Sequence, residues 1–103
     1  MKKYVFLIAL LISNIRYADT DSEIYFCTQL SKLAKNIMEY RQAGMSITAL
    51  YEKIKNTEPH VKKILDSFIL DAYDSPKFST KENQVEAVNE FQNKWYLICR
   101  NMK

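Results

Sequence analysis

The sequence predicts an all-α fold: a small antiparallel four-helix bundle with one disulfide, preceded by a signal-peptide helix. Three observations point there. Apolar residues recur at spacings of three and four along four successive segments, the period of a helix face. Backbone breakers are scarce, with one glycine and two prolines in 103 residues, which favours long helices over a turn-rich β fold. The only two cysteines, Cys27 and Cys99, lie near the start of the first periodic segment and the end of the last.

Residues 1–18 read separately from the rest. Lys2 and Lys3 precede an apolar run from Tyr4 to Ile12, and a short polar segment then ends at Ala18. A positive end, a short apolar core and a small residue at the cut make a secretory signal. The run falls well short of the roughly 20 residues that a spanning helix needs. Arg16 is the third residue back from a cut after Ala18, where a small residue is preferred, so cleavage after Ala18 and an uncleaved tether both stay open. The organisation is thus a signal peptide over 1–18 and one helical domain over 19–103. The precursor has 15 Lys plus Arg against 12 Asp plus Glu, and Lys2, Lys3 and Arg16 lie in the signal. The mature part is then balanced, 12 against 12. The basic charge belongs to export and gives no support for nucleic-acid binding.

Export with an even cysteine count argues for a Cys27–Cys99 disulfide. Redox catalysis would ask for two cysteines close in sequence, which this chain lacks. The expected location is periplasmic or secreted, with no membrane span after cleavage.

The first mature helix covers Ile24 to Gly44. Thr20 and Glu23 resemble a capping box at its start, and Gly44 suits the left-handed position after its end. Cys27, Leu30, Ala34, Ile37 and Arg41 share one stripe. Ser46 caps a second, shorter helix carrying Ile47, Leu50, Tyr51 and Ile54. A third helix runs from about Glu58 to Tyr73, with Pro59 in its first turn and a stripe of Val61, Ile64, Leu65, Phe68 and Ala72. Ser79 and Glu82 form a second capping box, and a fourth helix runs towards Asn101. Val88, Phe91, Trp95, Ile98 and Met102 line its inner face, flanked by Val85 and Cys99.

Short loops favour antiparallel neighbours in an up-down-up-down order. The first and last helices then bring the two cysteines together. The same topology gathers Arg41–Ser46 and Tyr73–Thr80 at the pole remote from the disulfide. Arg41 stands out there: a guanidinium on an apolar stripe must find acceptors. Asp71 and Asp74 are the expected partners, with helix-end carbonyls assisting. Two readings are open, a buried tether between the loops or an arginine that binds an anion or partner. Gln42 reads as solvated or bonded to a loop. Tyr73, Pro76 and Phe78 read either as a staple for the helix ends or as a recognition surface.

The rest of the chain holds no constellation for catalysis. The single histidine, His60, cannot build a histidine metal cluster. Nothing near it suggests a Ser-His-Asp triad. A Gly-rich phosphate loop is missing, and no carboxylate pair stands out for acid–base work. No cofactor, metal or catalytic residue is expected.

One early cysteine precedes the segment Ile37-Met38-Glu39-Tyr40-Arg41-Gln42-Ala43-Gly44-Met45-Ser46. Later comes Ala72-Tyr73-Asp74-Ser75-Pro76-Lys77-Phe78-Ser79-Thr80, then a helix ending in the second cysteine. This layout resembles a family of small exported helical proteins of proteobacteria and their phages, over nearly the whole mature chain. Asn83 and Ile98 depart from it, where that family has tyrosine-like and acidic residues. The resemblance implies export and a helical fold, and carries over no catalytic residue. The functional expectation is a non-enzymatic exported interaction protein with an envelope protein as partner. The alternative is an inhibitor or phage exclusion factor acting in the cell envelope.

Overall fold

The structure is a computed structural model that describes the backbone of residues 2–102 and the side chains of residues 20–102. Its elements are four helices: α1 (Lys2–Gln42), α2 (Ile47–Ile54), α3 (Pro59–Asp74) and α4 (Lys81–Asn101). The predicted signal segment 1–18, with its cut after Ala18, lies outside the residues described to the side chain.

Each boundary has a local cause. Gly44 takes φ +92°, a conformation open to glycine and costly for other residues. Its N–H donates to the Arg41 carbonyl at 3.1 Å, and the Met45 N–H donates to the Tyr40 carbonyl at 3.1 Å. That crossed pair is the Schellman closure, which satisfies the last carbonyls of α1. Ser46 Oγ accepts from the Ala49 N–H and starts α2. The Glu58 carboxylate accepts from the His60 and Val61 N–H groups and starts α3, with Pro59 in the first position. α3 stops at Ser75, whose extended backbone (φ −86°, ψ 149°) is the conformation that the following Pro76 imposes.

Two expected caps are corrected. α4 is capped by Thr80, whose side chain accepts from the Asn83 N–H, and not by Ser79. Nor does Thr20 begin a helix. α1 is helical on both sides of it, so its turn has no orphan N–H groups to cap.

α1 packs against α4 most extensively and then against α3, and α2 packs on α3. Cys27 and Cys99 are joined, with S–S 2.08 Å and Cα–Cα 5.6 Å. The start of α1 therefore meets the end of α4, and the two run antiparallel as the loop lengths require. Phe68, Met38, Leu50 and Ile69 are the largest fully buried side chains. Trp95 closes the core with its ring edge-on to Phe68, 4.7 Å between centroids. Its indole N–H donates to Asp71 Oδ2 at 2.9 Å, so the buried ring keeps its one polar atom paired. α2 is fastened to α3 by the Tyr51 hydroxyl, which donates to Asp66 Oδ1 at 2.6 Å.

The predicted inner face of α4 is too long. Val88, Phe91 and Cys99 are buried, but Val85, Ile98 and Met102 are exposed. The seating of α3 explains the far end. α3 packs on α1 and stands off α4, so a gap opens between Ile64 and Phe68 on one side and Trp95, Ile98 and Met102 on the other.

Two tests follow from this packing. Replacing Cys27 by Ser frees a closure between residues 72 apart. Urea unfolding under oxidising conditions is expected to show a loss of about 4 kcal/mol, and none between the variant and reduced wild type. The second concerns alkali. Burial first, and then the hydrogen bond and charge of Asp66, push the Tyr51 phenol from 10.0 up to about 12. Between those two values the unfolded state releases a proton that the folded state keeps. The contribution is full below pH 10.0 and fades as pH rises to about 12. Tyr51→Phe is expected to flatten the alkaline loss of stability over that window, measured by urea melts at stepped pH.

Candidate functional site

The two poles of the bundle differ in chemistry. At the loop pole, the sequence-predicted residues come together and satisfy one another. Gln42 is buried, with 4 % of its surface exposed. Its Nε2 donates to the Pro76 carbonyl at 2.9 Å and its Oε1 accepts from the Phe78 N–H at 2.8 Å. One carboxamide thus grips both sides of the turn between α3 and α4. Its solvated reading is corrected; its loop-bonding reading holds. The Phe78 carbonyl in turn accepts from Gln84 Nε2 at 2.7 Å.

Arg41 sits beside this grip, and its expected partners are corrected. It bonds neither Asp71 nor Asp74. Its Nε and Nη2 donate to the Ser75 carbonyl at 3.2 and 3.1 Å. Its guanidinium lies 5.0 Å over the Tyr73 ring. The carbonyl ending α3 is the better acceptor because no α-helical bond uses it. Asp71 is engaged elsewhere, with the Trp95 indole and with Lys94 Nζ at 2.6 Å; Asp74 is exposed. The Tyr73 hydroxyl donates to the Met45 carbonyl at 2.6 Å. Burial raises its pKa, and the nearby Arg41 partly offsets the rise. Arg41, Gln42 and Tyr73 therefore spend their polar atoms on backbone of the two loops. This geometry is that of a tether.

The disulfide pole is open. A groove of about 460 Å³ lies there between α1, α3 and α4. Cys27, Cys99 and Phe68 are its buried floor. Phe26, Ile98 and Met102 flank it and are 57 %, 37 % and 71 % exposed. Leu30, Ile64 and Trp95 complete the apolar walls. Polar side chains are confined to the exposed rim: Ser22, Glu23 and Ser67. Glu23 faces Arg100 Nε at 3.8 Å, and Arg100 Nη1 donates to the Tyr96 hydroxyl at 3.1 Å. Ile24, Tyr25 and Leu97 add exposed apolar surface around the same end.

Reading the sequence drew attention to the loop pole and passed over this one. Phe26, Ile98 and Met102 carry the helical period of a core, and nothing in their type separates a covered stripe from an uncovered one. Among the described residues, no group of three His, Cys, Asp or Glu side chains could hold a metal. No helix there is long and apolar enough to cross a membrane. No family model, curated protein or solved structure matches the chain.

Gln42→Ala would strand the Phe78 N–H and the Pro76 carbonyl together. Unfolding by urea is expected to show a loss of about 2–4 kcal/mol. Gln42→Glu sets a buried carboxylate against the Pro76 carbonyl and should cost at least as much. Arg41→Ala, beside it, should cost less, about 1–2 kcal/mol, because it strands one carbonyl where Gln42→Ala strands a donor and an acceptor.

Proposed function

We propose that this protein is an exported, non-enzymatic binding protein of the periplasm, which engages its partner at the disulfide pole. The observation that carries the reading is the concentration of exposed apolar side chains at that one end. A chain of this size does not ordinarily leave Phe26, Ile98 and Met102 uncovered around a groove without using them. The opposite pole supports the same assignment from the other side, because its polar atoms are consumed by the tether. The groove's walls are hydrocarbon, aromatic ring and disulfide, surfaces that bind and do not transfer protons. The disulfide favours an oxidising compartment, and the signal-like order of residues 1–18 favours export as the way there.

The test is fractionation with a chemical readout. Expressed with its own first eighteen residues, the protein is expected in the osmotic-shock fraction. It should migrate faster on a non-reducing gel than after reduction. A photo-crosslinking side chain at Met102 should capture a periplasmic component, and the same group at Ser79, exposed at the loop pole, should not. Recovery of reduced protein in the cytoplasm would end the export reading. Equal capture from both positions would end the assignment to the disulfide pole.

A further inference from the structure

We propose that the groove beside the disulfide is a binding site for a single uncharged amphiphile, a small molecule with an alkyl or aryl body and a neutral hydrogen-bonding head. This ligand class rests on the binding reading above and narrows it. Size is the first reason. The groove's 460 Å³ falls within the roughly 300–1,000 Å³ of small-molecule sites. It is lined by twelve residues, whereas a stable protein interface takes about 20–30 residues on each side. A second copy of this chain, or a rigid protein partner, would find too little to hold.

The walls are prepared before any ligand arrives. The Cys27–Cys99 bond fixes the separation of α1 and α4 at the floor. Trp95 is held by its bond to Asp71 and by its edge contact with Phe68, so the aromatic wall does not need ordering. Pre-ordered walls lower the entropy cost of binding. Along α1 the lining runs from Ser22 to Leu30, about 12 Å at 1.5 Å per residue, room for one medium chain or a fused ring.

Charge at the rim selects the head. The one carboxylate there, Glu23, already faces the Arg100 guanidinium. An anionic head would meet that carboxylate, and a cationic head would have to displace Arg100 from it. A neutral head meets neither obstacle and has the Ser22 and Ser67 hydroxyls beside it.

The protein as recovered from the cell, oxidised, would be titrated with the uncharged fluorophore N-phenyl-1-naphthylamine. Saturable one-to-one uptake is expected, displaced by 1-octanol at least tenfold more effectively than by octanoate or octylamine. Ile98→Glu, which puts a charge on the wall, should weaken uptake at least tenfold. Val85→Glu, on the exposed surface of α4 towards the loop pole, should leave it unchanged. Trp95 is the only tryptophan, so quenching of its fluorescence by a brominated octanol reads groove occupancy in wild type even if a variant fails to fold. Absence of saturable uptake and of quenching would overturn the proposal. So would equal uptake by Ile98→Glu, or equal displacement by alcohol and carboxylate. A dimer in sedimentation velocity that Ile98→Glu dissolves would give the groove to a second copy instead. Protein oxidised after purification takes the same titration whether or not the cell exports it, so the two readings fail separately.

Discussion

One buried carboxamide sets the geometry of the loop pole. Gln42 lies at the last turn of α1, out of water, where its donor and its acceptor both require partners. It finds them on the two sides of the α3–α4 turn, at Pro76 and Phe78. A side chain that must be satisfied twice fixes the distance and the angle between the helix carrying it and the turn receiving it. The Schellman closure at Gly44 and the Tyr73 bond to Met45 then place the other loop against the same point. α3 is delivered from there at a set inclination, and α2 is carried with it through Tyr51 and Asp66.

The disulfide does the complementary job at the far end. It holds α1 to α4 at the floor of a groove whose third wall is α3. The molecule is therefore fastened to itself in two different ways. The loop pole is closed by directional hydrogen bonds from Arg41, Gln42 and Tyr73 to loop backbone. The disulfide pole is closed by one covalent link that leaves an apolar surface open. A binding role falls to the second pole for that reason: hydrocarbon is available there, and the hydrogen-bonding groups of the first pole are already spent.

α1 has to serve two neighbours, and its sequence shows this once the packing is known. The stripe Cys27, Leu30, Ala34, Ile37 and Arg41 is one inward face. Ser31, Met38 and Gln42 form a second file, offset on the cylinder and buried as fully. Two of its three members are polar. Ser31 satisfies itself locally, its hydroxyl donating to the Thr28 carbonyl at 2.8 Å. Gln42 cannot do so and reaches across the bundle. The same widening explains Ile69 on α3, which has no exposed surface although it lies outside the expected stripe.

From its residues alone the chain determined four helices, their order, most of their caps and the meeting of its two cysteines. Those are local or topological properties: period, breaker placement, loop length and cysteine position each act within a few residues or along the chain. The convergence of Arg41, Gln42, Tyr73, Pro76 and Phe78 at one pole was legible for the same topological reason. Tertiary structure alone decided what each of them touches. Arg41 chose a backbone carbonyl over two aspartates because α3 ends with Ser75 towards it, and Gln42 became buried because the turn folds down over it. Tertiary structure also decided which apolar residues remain outside. Ile98 and Met102 have the period and character of a core, and they are exposed because α3 packs on α1 and stands off α4.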